Sequence, residues 1–364
     1  MGIAAGGIGY GVTQETRKEI AVAVTEQNGR VRIVDVAKAA GVAPSTVSKA
    51  LNGTGVLRAD TRRRIREIAD RLGFVPDASA RGLHTGRSYT VGLLSTDSAG
   101  RFSLPIVLGA ENALVGGEIS ALVATARHDP VRERHHLRAL VARRVDGIIV
   151  TGRTSNPRAP VSVPVPVVYA FAPSTDPTDV SVVPDEADGA RQVVEHLHTL
   201  GRRRLAHLTG RAENLGTELR FQAVREHAER LGMRVDPDPR YGEWSERWGR
   251  QAVDLILADH TAGAPLPIDA LVCGSDQLAR GACDRLRERG VAVPGEIAVT
   301  GFDNWDVMAL ASRPPLTTVD MRLETLGQRA AELLLARIDG DTGEPGVHLL
   351  APRLVVRAST LGDD

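Results

Sequence analysis

A short run, Gly41 to Leu51, concentrates residue types that can read a polar polymer: Gly-Val-Ala-Pro-Ser-Thr-Val-Ser-Lys-Ala-Leu. Pro44 suits the first helical position, where its fixed φ is already right and its missing N–H is not needed. A helix begun there puts Val47, Ala50 and Leu51 on one side. Ser45, Ser48 and Lys49, three or four residues apart, share the other. Lys49 can donate to guanine O6 or N7, and the hydroxyls of Ser45, Thr46 and Ser48 can reach bases or phosphate oxygens. As an isolated helix, the same face is equally well explained as an ordinary solvated one.

A second set of candidates is scattered through the rest of the chain. Arg220 opens a helical pattern in Glu-Leu-Arg-Phe, Trp244 stands in Gly-Glu-Trp-Ser, Asp276 follows Ser275 in Cys-Gly-Ser-Asp-Gln, and Asp303 stands in Gly-Phe-Asp-Asn. A carboxylate just past a strand can accept two hydroxyl hydrogens from one sugar. A guanidinium offers a planar fork of donors, and an indole can stack on a sugar ring. Taken singly, each has another reading: Arg220 in a surface ion pair, Asp276 as a helix cap, Asp303 in a turn, Trp244 in a core.

The elements that must position these residues follow from periodicity. Ile33, Val36, Ala37 and Ala40 share one face of a first helix that stops at Gly41, a residue suited to a left-handed cap. The helix from Pro44 comes next, and a third starts near Asp60 or Thr61, with Ile65, Ile68, Ala69 and Leu72 apolar, and ends at Gly73. After a linker of small and basic residues, strand-like runs alternate with amphipathic helices from Thr90 to the end. That texture means parallel sheets covered on both faces. Seven helices are many for one open sheet, so the body divides into two similar lobes near residue 185. The final run, Leu349–Arg357, reads as one strand.

Composition fits this division. With 364 residues, 42% hydrophobic and 25% charged, the chain has the profile of a soluble globular protein of two or three domains. No apolar run approaches the ~18 residues needed to span a bilayer. The glycine-rich start lacks a basic segment leading into an apolar core, so a cytoplasmic protein is expected. The formal net charge is zero, yet residues 31–88 hold 11 Lys or Arg against 5 Asp or Glu, and residues 89–364 hold 31 against 37. A basic head on an acidic body concentrates positive potential where phosphates would be met.

Other features point nowhere special. Cys273 and Cys283 read as small buried residues. His128, His135 and His136 lack an acidic partner at metal spacing and read as solvated. The sequon Asn52-Gly53-Thr54 has no meaning in the cytoplasm. The early glycines, from Gly2 to Gly11, do not match a dinucleotide-binding loop, and no nucleophile elbow, zinc helix or phosphate loop is present.

The stretches Val31–Gly53 and Thr61–Leu83 closely resemble the head of the lactose-repressor (LacI) family of bacterial transcription regulators. The resemblance continues more weakly through the body, at Val91–Thr96, Asp146–Val150, His196–Gly210, Ala270–Gly281, Val299–Asn304, Pro315–Val319 and Leu354–Thr360. It implies an all-α helix-turn-helix head and an α/β core of two doubly wound parallel-sheet lobes, like periplasmic binding proteins. It also implies that Pro44, Ser45 and Lys49 read bases and that Thr46, Ser48 and Asn52 contact the DNA backbone. Leu83, in a hinge helix, would wedge into the minor groove at the operator centre and kink the duplex.

Two residues of the head and hinge depart from the family pattern. Ala43 replaces the usual Ser or Thr cap, a loss that typically costs ~1 kcal/mol. Asp77 stands where Asn is usual, an anion near phosphates that is unfavourable unless Arg81 or a helix N-terminus neutralises it. Gly82 lowers hinge helicity. For the body, the resemblance implies a small-molecule effector, a sugar or related metabolite, held between the lobes by Ser98, Phe102, Phe171, Arg220, Trp244, Ser275, Asp276 and Asp303. Ser275 replaces a common Asn, and Phe171 a polar position, which makes the pocket less polar.

The expected layout is an extension over 1–29, the head over 30–75, a hinge over 76–88 and the core over 89–364. Within the core the N-lobe takes 89–185 and 315–340, and the C-lobe 186–314 and 341–364. The expected function is an effector-controlled repressor or regulator, homodimeric on a near-palindromic operator, with no catalytic site, cofactor, metal or membrane. A secreted solute-binding protein with the same lobes is disfavoured by the missing leader and the basic head. An α/β enzyme such as a sugar kinase or dehydrogenase is disfavoured by the missing phosphate-cradling loop.

Overall fold

A computed structural model describes residues 31–51, 55–74, 86–97, 100–261 and 264–362. The chain divides into two compact units between Gly86 and Arg87. In the first, three helices surround a small core: α1 (Ile33–Ala40), α2 (Pro44–Leu51) and α3 (Ala59–Arg71). The amide of Arg32 donates to the Asp35 carboxylate at the start of α1 (2.8 Å), and Gly41, at φ +66°, closes its end. Val36, Ala37, Ala40, Val47, Ala50, Ile65 and Ala69 are buried together. Leu72, expected on the apolar stripe, is instead exposed beyond the end of α3.

The second unit holds two sheets. The first contains β1 (Thr90–Ser95), β2 (Ser120–Thr125), β3 (Gly147–Thr151), β4 (Val167–Ala170), β5 (Val180–Pro184) and β12 (Gly346–Leu350), in the order β12-β5-β4-β3-β1-β2, all parallel. The second contains β6 (Arg204–Thr209), β7 (Arg234–Val235), β8 (Arg240–Tyr241), β9 (Ala270–Cys273), β10 (Ala298–Phe302), β11 (Thr317–Asp320) and β13 (Arg353–Val355). Its order is β13-β11-β10-β9-β6-β7, with β8 also on β6, and the β11–β13 pair is antiparallel.

The helices of this unit are α4 (Ser103–Val115), α5 (Pro130–Ala142), α6 (Glu186–Thr199), α7 (Leu215–Arg230), α8 (Glu246–Ile256), α9 (Asp276–Glu288), α10 (Asp306–Ala309), α11 (Leu323–Ile338) and α12 (Ala358–Leu361). The strands β1, β3, β5, β9 and β10 are buried almost throughout, as a sheet covered on both faces requires. Helices α4 and α11 approach so closely that a Cβ on Gly109 would lie 1.8 Å from the Glu324 carbonyl oxygen, and one on Gly327 would lie 2.0 Å from that of Ile106. Only glycine at both positions permits that packing.

The chain passes between the sheets three times: after β5, between β11 and α11, and between β12 and β13. This corrects the expected lobe boundaries. Strand β11 belongs to the C-lobe sheet, not the N-lobe, because Thr317 and Thr318 pair with β10 and the Thr317 amide and hydroxyl are bonded by Ser359 and Thr360. Strand β12 belongs to the N-lobe sheet, through β5.

The run expected as one strand at Leu349–Arg357 is therefore two, broken at Ala351–Pro352. Proline cannot donate to a ladder, and the Gln192 side chain bonds the Pro352 carbonyl and the Leu354 amide instead. The body also begins two residues earlier than expected: Arg87 bonds Asp339 and the Ile338 carbonyl, and the Ser88 amide donates to Asp146.

Candidate functional site

In the head, the two faces of α2 separate by exposure. Val47 and Ala50 are fully buried, whereas Pro44, Ser45 and Lys49 are exposed and Thr46 and Ser48 half-buried. The burial follows from the turn at Gly41–Ala43, where the amides of Thr46 and Val47 donate to the Ala43 carbonyl (2.9 and 3.2 Å) and set the helix against α1 and α3. Among the described residues of α2, the outward polar edge is thus Ser45 and Lys49, with Pro44 at its start. Asn52, Arg81 and Leu83 lie outside the described residues, as do Asp77 and Gly82 of the hinge.

In the body, a cavity of about 840 Å³ is lined from both lobes. The N-lobe contributes Phe102 and Phe171, whose rings stack at 5.1 Å between centroids and 18° between planes. Phe171 follows β4 with φ +73°, an uncommon left-handed conformation for an aromatic residue, which turns the chain at the strand end. Trp244 comes from the segment before α8 and lies on Gly210 so closely that a Cβ there would be 1.9 Å from the indole. Ser275 caps α9, accepting from the Leu278 amide. Asp303 follows β10 at φ +105° and also faces the cavity. Ser98 lies outside the described residues. Openings at the carboxyl ends of β1, β4, β6, β9 and β10 are where ligand sites form in open α/β sheets.

Arg220 lines the cavity but is committed elsewhere. Its Nε donates to Glu186 (2.6 Å), its Nη1 to the Gly274 carbonyl, and its guanidinium lies 3.7 Å over the Phe302 ring. Burial pulls its pKa down, but the Glu186 carboxylate, together with the charges of Asp303 and Asp276, raises it on balance. Glu186 in turn accepts from Ser155 (3.2 Å). The surface ion pair considered for Arg220 is therefore a buried one. Behind it, His207 is fully buried, and burial, then the nearby Arg220 charge, pushes it down to about 3, so it stays neutral beside the cation.

Asp276, expected at the ligand, is not among the residues that line the cavity. It is fully buried at the first position of α9, where its carboxylate accepts from the Trp305 amide (2.6 Å) and the Thr318 hydroxyl. Burial, and then the charge of Asp303, push its pKa up to about 8. Its work is to hold the turn that carries Asp303 and Trp305.

Several cavity residues had no signal in the sequence. Arg101 reaches from the N-lobe to Asp303, and its Nη1 donates to Gln277 (3.2 Å). Its guanidinium also lies 4.8 Å from the Phe102 ring and 4.4 Å from that of Trp305. Thr217, 1% exposed on the cavity wall, has a hydroxyl with no partner among the described residues. At the rim Arg211 pairs with Glu243 (2.7 Å). Arg101 directly precedes Phe102, yet nothing local names a partner 202 residues away.

No group of three or more His, Cys, Asp or Glu among the described residues is arranged to hold a metal ion. Cys273 and Cys283 are buried free thiols, and burial pushes Cys283 up to about 12. No helix among the described residues is long and apolar enough to cross a membrane.

Two family models match the chain. Residues 32–77 match the bacterial regulatory proteins of the lacI family, and residues 194–360 match the periplasmic binding protein-like domain. The chain is 30% identical over 341 residues to the HTH-type transcriptional repressor PurR of Aliivibrio fischeri (strain MJ11), covering 90% of this chain and 98% of that protein. Among solved structures, the lac repressor dimer bound to operator and the anti-inducer ONPF aligns with a TM-score of 0.72 and 26% identity, over 92% of this chain and all of that one. The complex of the transcriptional regulator CelR with cellobiose aligns with a TM-score of 0.62 and 29% identity, over 91% and all of the respective chains. With an exposed polar helix edge in a helix-turn-helix and a two-lobed periplasmic-binding-protein-like core behind it in sequence, this chain is a DNA-binding transcriptional regulator that belongs to the lacI family.

Proposed function

We propose that the chain is a cytoplasmic, homodimeric repressor, without enzymatic activity, whose grip on a near-palindromic operator is set by a small polar metabolite bound between the lobes of the body. The observation that carries the effector reading is the convergence of Phe102, Phe171, Arg220, Trp244, Ser275 and Asp303, from both lobes, on one cavity of about 840 Å³. That size suits a small ligand, and stacked rings beside a few fixed polar groups are what orients one. The relative solved with cellobiose supports a sugar or sugar-like effector.

On this reading Pro44, Ser45 and Lys49 read bases, Thr46, Ser48 and Asn52 contact the backbone, and Arg81 and Leu83 act in the hinge over 76–88. Two copies are needed because one short head reads few base pairs and symmetry doubles the readout. Effector can shift operator affinity by no more than its own preference for one lobe arrangement over the other.

The test is selection of duplexes from a random pool by the full chain, followed by titration of the winners at several salt concentrations. Sequence-selective binding that weakens steeply with salt is expected. Absence of any selected duplex would remove the regulator reading. Metabolites would then be screened for those that change affinity for the selected site, and a flat response to a broad sugar and nucleoside panel would remove the effector class.

A further inference from the structure

Four groups form a continuous stack across the cleft: Phe171, Phe102, the Arg101 guanidinium and Trp305. The first three belong to the N-lobe and the last to the C-lobe. At the crossing point Arg101 also bonds Asp303 and Gln277, both C-lobe residues. Asp303 is nearly buried, with 6% of its side chain exposed, and Arg101 has 16% exposed, so water does little to weaken the pair. The C-lobe end is itself braced, since Asp276 holds the Trp305 amide and Thr318 takes the Asn304 amide (3.3 Å). The N-lobe end is braced by the bond from the Leu104 amide to the Gly100 carbonyl (2.8 Å). One polar atom in this arrangement is unpaired: the Arg101 Nε–H is buried without a partner among the described residues.

We propose that Arg101 is the clasp between the lobes and the competitor of the effector for Asp303. Asp303 is the carboxylate that the effector reading assigns to the ligand, so the clasp rests on that reading, and ligand and arginine claim the same oxygens. A buried charge stripped of its partner is costly, so a ligand that takes Asp303 must supply a donor to it. The same ligand gains most if it also offers an acceptor to Arg101, whose Nε–H is already unpaired. The effector class that satisfies both carries a donor and an acceptor side by side, as vicinal hydroxyls or a heterocyclic amide do. Lobe closure is then set by exchange at one carboxylate, and Arg101 is a positioning and specificity residue.

Amide hydrogen exchange of the full chain tests the clasp without any ligand. Arg101→Met removes the charge and keeps the length, Arg101→Lys keeps the charge and loses the fork, and Asp303→Asn removes the other partner. In the Met variant, exchange should accelerate about threefold or more in both the 100–107 and 303–309 segments, one from each lobe. Asp303→Asn should reproduce this, the double variant should be no faster than either, and the Lys variant should fall between. Acceleration confined to 100–107, or additive effects in the double variant, would overturn the clasp, because local packing alone gives that result. Should the Met variant fail to fold by circular dichroism, the Lys and Asn variants carry the same comparison. Failure to select any duplex would sink the regulator reading and leave this outcome intact.

Discussion

In the head, the residues that face outward from α2 and those that seal it lie within one eight-residue helix, Pro44–Leu51. In the body, the two charges at the centre of the cleft, Arg101 and Asp303, are 202 positions apart and come from different sheets. The head therefore presents its polar side chains to solvent over a core of small and branched aliphatic residues. The body buries its cleft charges against one another. The difference implies that outward residues of the head can be changed with little effect on stability, and that removing one member of a buried charge pair in the cleft has a large one.

Val47 is fully buried in a core of seven small or aliphatic residues. A core in so small a domain rarely supplies more than about 3–5 kcal/mol, and burying a carboxylate there costs at least as much. Val47→Asp should abolish selective DNA binding by unfolding the head, while the unfolding transition of the body, followed by urea titration, stays where it was. A body transition that moved with the head would show that the two units do not fold independently.

Arg220→Ala tests the body's side of the contrast. Removing one member of a buried pair leaves Glu186, itself 3% exposed, without its cation, a loss of about 3–5 kcal/mol. The body should unfold at markedly lower urea, and Arg220→Met combined with Glu186→Gln should recover much of the loss. Full stability of the alanine variant would mean that the pair is solvated and that Arg220 is free to serve a ligand alone.

These two residues also mark what the sequence made legible. The 3.6-residue spacing of Val36, Ala40, Val47 and Ala50 is a local signal, and helix, turn and outward face follow from it. The alternation of strand and helix in the body is local too, and two parallel sheets follow. Which sheet receives β11 or β12 is a question of pairing between distant segments, and local periodicity is silent on it. So it is with Asp276, whose position after a strand fits a ligand contact as well as a buried brace. Its bonds to the Trp305 amide and the Thr318 hydroxyl, which make it a brace, join segments too distant for local pattern to reveal.

Lys49→Ala probes the outward face of α2 without disturbing the core beneath it. An exposed helix residue away from caps and pairs changes stability by no more than about 0.5 kcal/mol. If its ammonium reads a base, its loss should reduce discrimination between the selected duplex and a scrambled one by about 1–3 kcal/mol. Competition titrations at fixed salt measure that ratio. An unchanged ratio with uniformly weaker binding would reassign Lys49 to phosphate contact.

At Asp276 the expected effect depends on pH, and its sign follows from protonation. The folded chain holds the Asp276 proton up to about 8 because burial, and then the Asp303 charge, oppose ionisation, whereas an unfolded aspartate releases it near 3.8. Between those two values the native state binds more protons than the unfolded one, so this group makes stability decline as pH rises through the window and level off above it. Asp276→Asn keeps an acceptor for the Trp305 amide and can donate to Thr318, without a charge to bury. Its urea midpoint should therefore gain on wild type steadily from pH 6 to pH 8 and hold the advantage at pH 9. Parallel profiles would mean that Asp276 is ionised throughout, and that the charge balance of the cleft rests on Arg101 and Arg220 together facing three carboxylates.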